Sequence, residues 1–268
     1  VIRTLVHVAM ATISPRAAAI VTGGESGIGA ACALALARSG VRVTFTYFRD
    51  EPAADRIRAE IAETGGEAIA VRTDVSDEVS VDRLFAACED AFGTASLLVN
   101  SAGLNMSGVP IADMALAQFD RIVRSDLYGP FLTCRRFVRG LEASGGGGRI
   151  VNISSIHERA PRAGGVDYDA AKGGLSQLTA TLALELAPKR IAVNGVAPGM
   201  ILTPMNAQAV EDAAYRARLE ANIPWRRAGR PEEVADFVLF LLSPAADYIT
   251  GTTVTIDGAL SLTIAQGA

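Results

Sequence analysis

Cysteine, histidine and aromatic residues are scarce in this chain, and so is any surplus of positive charge. Its three cysteines, Cys32, Cys88 and Cys134, are odd in number and far apart, with only two histidines beside them. Neither a disulfide framework nor a cysteine–histidine metal centre is supported, so no metal is expected and a reducing, cytoplasmic setting is. The net charge of −4 supplies no basic face of the kind nucleic acids select. The apolar run Val1–Thr12 carries Arg3 and His7, is too short to span a bilayer and lacks a convincing cleavage site, so no membrane partner is expected. Met10 as the true start and a surface-lying extension both fit this run, and residues 1–17 are read as a flexible N-terminal extension. With aromatics at 6% and hydrophobic residues at 50%, the core falls to Val, Ile, Leu and Ala. The 268 residues suffice for one large α/β domain or two small ones.

What the chain does have is glycine in a telling place. The apolar run Ala18–Thr22 ends in Gly23, Gly27 and Gly29, and residues Ala30 to Arg38 then take up helical apolar spacing. This is a strand, a tight turn and a helix. Gly23 lets the chain turn, Gly27 lets backbone approach an anion, and Gly29 leaves room for helix against strand, so unpaired helix N–H groups face the space above the turn. A pyrophosphate suits that space. The spacing Gly-x-x-x-Gly-x-Gly lacks the Gly-Lys-Ser/Thr ending of a nucleoside-triphosphate loop.

Alternation then continues along the chain. Strands are expected at Ala18–Thr22, Arg42–Tyr47, Ala68–Arg72, Ser96–Asn100, Arg149–Ile153, Ile191–Val196 and Thr252–Ile256. Helices are expected at Ile28–Ser39, Pro52–Glu63, Glu78–Phe92, about Leu116–Leu141, Ala170–Leu186 and Pro231–Leu242. The pattern predicts an α/β fold: a single doubly wound parallel sheet of Rossmann type with helices on both faces, in one catalytic domain over residues 18–268. Gly145–Gly148 reads as a turn and not a linker, because a strand begins directly after it. At about 201–230 the alternation lapses into a short amphipathic stretch, the candidate substrate lid.

Tyr168 and Lys172 are four apart at the start of a predicted helix, which places both on one face. A phenol ordinarily titrates near about 10, and a neighbouring ammonium favours its phenolate form. Ser155 closes the preceding strand, where its hydroxyl can donate to an oxygen that Tyr168 protonates or deprotonates. Such a trio serves acid–base chemistry at a carbonyl or carbinol carbon.

These pieces, together with Asp74–Val75, Asn100–Ser101–Ala102–Gly103 and Pro198–Gly199 with Thr203, resemble the classical short-chain dehydrogenase/reductase family from Ala18 to about Ser261. The resemblance implies Tyr168 as general acid–base, Ser155 as the holder of the reacting oxygen, and Lys172 as the cation that assists Tyr168 and holds a ribose. It implies an NAD or NADP site formed by Gly23, Glu25, Ser26, Gly27, Ile28 and Gly29, with Asp74 and Val75 at the adenine. Asn100, Ala102 and Gly103 line the cleft, and Pro198, Gly199, Ile201 and Thr203 surround the carboxamide, with Tyr168 and Lys172 completing the site. The family has asparagine where this chain has Asp126, which keeps acceptors but loses an amide donor and sets a carboxylate near Lys172. At the end of the second strand Tyr47 takes the diol position and Arg49 faces a 2′-phosphate, a lean toward NADP that Glu25 opposes.

Ile153–Ser154–Ser155–Ile156–His157–Glu158 and the C-terminal stretch resemble the glucose 1-dehydrogenase members, implying a sugar or polyol, with Asn105, Ser155, His157, Glu158 and Asn206 near it. A 3-oxoacyl-carrier-protein or small-ketone reductase, and a catalytically weak cofactor-binding protein, are the alternatives. The resemblance also implies a homotetramer, built through the helices around Leu116–Leu141 and Leu175–Leu186.

Overall fold

Seven short segments rich in Val, Ile, Thr and Ala become strands: β1 Ala18–Thr22, β2 Arg42–Tyr47, β3 Ala68–Arg72, β4 Leu97–Asn100, β5 Gly148–Ile153, β6 Ile191–Pro198 and β7 Thr253–Ile256. The computed structural model describes residues 13–265. The strands form one sheet in the order β3-β2-β1-β4-β5-β6-β7, with every pairing parallel. Val21 sits between Phe45 of β2 and Val99 of β4, so β1 is an inner strand, buried on both faces.

Nine α-helices complete the described chain: α1 Gly27–Arg38, α2 Glu51–Glu63, α3 Glu78–Phe92, α4 Leu116–Val123, α5 Gly129–Ser144, α6 Val166–Leu186, α7 Ala207–Glu211, α8 Ala213–Glu220 and α9 Pro231–Leu242. One face of the sheet is covered by α1, α2 and α9, through residues such as Leu36, Ile61 and Val238. The other is covered by α3, α5 and α6, through Leu84, Phe137 and Leu186. This is the Rossmann-type architecture that the alternation predicts. The strand order reverses between β1 and β4, which opens a crevice at the carboxyl ends of the strands.

Three departures from the expected elements position the site. The helix predicted over Leu116–Leu141 is interrupted by a π-helical turn at Arg124–Tyr128, where the Gly129 N–H donates to the Arg124 carbonyl. Pro130 has no N–H to return to the Asp126 carbonyl four residues back, so the ladder slips by one residue there. The slip turns Asp126 inward, and it is 1% exposed. Secondly, α6 begins at Val166, one turn earlier than predicted, because Gly165 caps it and Asp167 favours its positive end. Thirdly, β6 runs on to Pro198, paired with Ile256.

Of the expected flexible extension, residues 1–12 lie outside the described residues. Within residues 13–17, Ser14, Pro15 and Arg16 are exposed, but Ile13 joins the core, Ala17 packs against it, and the Arg16 carbonyl accepts from the Arg42 guanidinium. The stretch between β6 and α9 leaves and returns at one place, since Leu202 N–H donates to Gly229 O and Gly229 N–H to Met200 O. Among the described residues, no helix is long and apolar enough to cross a membrane.

Candidate active site

Two threonines assemble the phosphate end of the crevice. Thr22, last in β1, accepts the Ser101 and Ala102 N–H groups at 3.0 Å each, and Thr46 Oγ1 accepts the Gly23 N–H at 2.9 Å. The glycine loop is thereby fastened to the ends of β4 and β2. Gly23 has φ +65° and Gly27 φ +55°, backbone that side chains resist, and a Cβ on Gly23 would stand 2.9 Å from Ala102 Cα. Ser26 caps α1 without a side-chain hydrogen bond, so the N–H groups of the first turn stay open to an anion.

The residues present fit a dinucleotide: an uncapped helix end, glycine backbone in close approach, and a cleft of about 660 Å³ running from Gly23 to Tyr168. Gly29 is needed for a different reason. A Cβ there would lie 2.1 Å from the Gly23 carbonyl. Gly29→Ala should raise the cofactor KM about tenfold and lower unfolding stability by about 1–3 kcal/mol, the usual range for overpacking. Cofactor titration and denaturant unfolding check this, and two unchanged values would refute it.

At the other end stand Ser155, Tyr168 and Lys172, exposed by only 6%, 8% and 5%. Ser155 follows β5, and its Oγ accepts the His157 N–H at 3.2 Å. Tyr168 lies in the first turn of α6, packed by Ile122, Leu104 and Met106. One turn on, the Lys172 ammonium lies 5.4 Å from the Tyr168 ring centroid, donates to the Ile153 carbonyl at 3.1 Å and stands 3.2 Å from Asp126 Oδ2. Burial pushes the Lys172 pKa down, but the Asp126 and Tyr168 charges, the Asp126 hydrogen bond and the Glu158 charge outweigh it and hold it above the ordinary lysine value.

Most predicted site residues line this one cleft. Beside the loop and the trio are Arg49, Asp74, Val75, Ala102 and Gly103, then Asp126, Pro198, Gly199, Ile201 and Thr203. Six are not among its lining residues: Gly29, Tyr47, Asn100, Asn105, His157 and Glu158. Side chains alternate along a strand, so Tyr47 points away from the face of Thr46 and Phe48 and packs against the core, with Glu51 near its hydroxyl. Asn100 works beneath the cleft, donating to Asn152 Oδ1 at 2.9 Å and accepting from Thr133 at 2.7 Å.

The side chains nominated for a hydroxyl-rich substrate are largely engaged elsewhere. Glu158 accepts from Ser154 Oγ at 2.7 Å and pairs with Arg159. Asn105 accepts from Met106 N–H and donates to Met205 O, and Asn206, which does line the cleft, donates to Ile201 O. His157 holds Ala160 O through Nδ1 and sets its ring edge-on to Tyr168 at 6.1 Å. Sequence reasoning passed over Thr46, Leu104, Arg121 and Ser125, which line the cleft, and reached Pro204 and Met205 only as part of the stretch 201–230. The i,i+4 spacing of Arg121 and Ser125, just ahead of Asp126, was the available signal for that pair.

A parallel sheet with a glycine-rich turn after its first strand, and a buried Ser–Tyr–Lys trio in the same cleft, defines a nicotinamide-dependent oxidoreductase architecture. The chain belongs to the classical short-chain dehydrogenase/reductase family and is an NAD(P)-dependent enzyme of that type. The family model described as enoyl-(acyl carrier protein) reductase matches residues 23–261. The 3beta-hydroxysteroid dehydrogenase 1 of Eggerthella lenta is 40% identical over 243 residues, covering 91% of this chain and 93% of its own. Glucose 1-dehydrogenase 2 of Bacillus subtilis is 35% identical over 244 residues, covering 91% and 94%. A solved short-chain dehydrogenase/reductase from Serratia marcescens superposes with a TM-score of 0.85 at 33% identity, covering 92% of this chain and 98% of that one. The likeness to glucose 1-dehydrogenases is therefore one among several, and none stands out.

Proposed function

We propose that the enzyme interconverts a secondary alcohol and its carbonyl compound, with Tyr168 as general acid–base, Ser155 as hydrogen-bond donor to the reacting oxygen and Lys172 as a fixed cation beside them. The observation that carries this reading is the convergence of three nearly buried groups on one wall of the glycine-loop cleft. Because the His157 N–H occupies a lone pair of Ser155 Oγ, the Ser155 hydrogen is free to point at substrate oxygen. In the oxidative direction Tyr168 takes the hydroxyl proton while Ser155 and the Lys172 charge stabilise the oxygen and the phenol as charge shifts between them. When bound, the nicotinamide accepts or supplies the hydride.

Leu104, Pro204 and Met205 line the cleft and the nominated polar residues are mostly engaged, which favours a ketone or alcohol with an apolar body over a sugar. The residues at 201–230 are read as the lid over that substrate. Exposed Leu116, Phe131 and Leu184 on α4, α5 and α6 support a homotetramer.

Arg49 at the adenosine end favours NADP, even though Tyr47 stands outside the cleft and Glu25 accepts from Phe48 N–H. Turnover is followed by nicotinamide absorbance with NAD and NADP against alicyclic ketones, β-ketoesters, polyols and sugars. Ketone turnover supports the reading, a marked preference for sugars overturns its apolar part, and tight cofactor binding without any turnover overturns it altogether. Arg49→Ala should cut kcat/KM with NADP about tenfold and leave NAD nearly unchanged, the loss expected for one charge-assisted contact. Equal losses with both cofactors would remove Arg49 as the discriminator.

A further inference from the structure

Four elements meet around one buried carboxylate. Asp126, in the π-helical turn, has a fully buried side chain whose Oδ1 accepts the Leu104 N–H at 2.8 Å. Its Oδ2 lies 3.2 Å from the ammonium of Lys172 on α6, the charge set against it. The same ammonium donates to the Ile153 carbonyl at the end of β5. There is no slack on the remaining side, since a Cβ on Gly103 would stand 2.7 Å from Oδ2.

We infer that Asp126 is a positioning residue that ties the loop after β4 to Lys172, holding the lysine as an ammonium in one place beside Tyr168. The inference rests on the reading of Tyr168 and Lys172 given above and adds a part to it. An ammonium in a site this closed to water tends to discharge unless an opposite charge lies against it. The groups that act on it are Asp126 from the π-helical turn, Glu158 from the turn after β5, and Tyr168 from its own helix. The loop after β4 contributes only a backbone N–H, through Leu104. Glu158 is already engaged by Ser154 and Arg159, so Asp126 is the carboxylate in direct reach.

An amide at this position keeps the bond to Leu104 N–H but sets no charge against Lys172. In Asp126→Asn the alkaline limb of the kcat profile should therefore move toward neutral by about one pH unit or more, with the acid limb in place. Asp126→Glu keeps the charge and should keep the limb, at lower kcat.

The chain contains only two lysines, Lys172 and the exposed Lys189, which allows a direct readout. With lysine labelled at Cε, the Lys172 resonance in the full-length enzyme should stay in its charged position through the working pH range. In Asp126→Asn it should titrate at lower pH, while Lys189 titrates alike in both proteins. A uniform fall in kcat with unmoved limbs and an unmoved Lys172 titration would overturn the inference. Should Asp126→Asn not fold, loss of the alkaline limb in Asp126→Glu would overturn it as well, and retention would support it. If the protein turns over no alcohol or carbonyl, the enzymatic reading fails while the lysine titration still reports whether Asp126 holds the ammonium.

Discussion

Replacing Tyr168 by phenylalanine removes one hydroxyl and should, with it, remove about three orders of magnitude of kcat. Acid–base groups of this kind typically contribute about 10²–10⁴-fold, and no other titratable group in the cleft is placed to replace the phenol. Asp126 is bound to Leu104 N–H and set against Lys172, and Lys172 stands behind the ring. The ring itself stays, with its packing against Ile122 and Leu104 and its place above the ammonium. The melting temperature and the cofactor Kd should consequently stay close to those of the parent. Initial rates followed by nicotinamide absorbance, with a fluorescence titration of the cofactor, check both halves. Activity within tenfold of the parent would show that the proton travels by another route.

Lys172→Met has the second large effect, and its main cost falls on the fold. The substitution conserves much of the side-chain volume but leaves the Asp126 carboxylate buried without its counter-charge. Removing one partner of a buried pair usually costs about 3–5 kcal/mol, because the remaining charge is uncompensated. Denaturant unfolding of Lys172→Met, Asp126→Asn and the double variant should show strong coupling, the double variant being more stable than the sum of the single losses predicts. Additive losses would mean that the 3.2 Å approach carries no energy.

The pH dependence has a definite sign. The folded-state pKa of Lys172 lies above its ordinary value of 10.5, so the protein gains stability from the charged lysine. That gain is fully present below the unfolded value and is lost as pH rises through the folded one. The stability difference between parent and Lys172→Met, as far as it comes from this group, should therefore be constant through neutral pH and shrink only in the strongly alkaline range.

Much of this protein was legible in its residues because the signals are local. The run Ala18–Thr22 with its three glycines announces strand, turn and helix, since backbone freedom and helix packing act over a few residues. Tyr168 and Lys172 reveal a shared helix face by their spacing. The cleft wall was less legible. Its place at a strand end points to Tyr47 for the ribose, yet a shift of one residue turns a side chain to the opposite face, and Thr46 is the residue that holds the loop. Glu158 and His157 read as free from their place after β5, but Ser154 engages Glu158 Oε2 and the Ala160 carbonyl engages His157 Nδ1.

The amino-acid order alone determined the alternating architecture, the anion-binding turn and the pairing of phenol with ammonium, because each is written in spacings of a few residues. Only the tertiary structure decided that Asp126 is buried in direct contact with Lys172. That contact depends on a missing N–H at Pro130, a ladder slipped by one residue and the packing of α6 against the π-helical turn, and side chains distant in sequence meet there only after the sheet and its helices have closed around them.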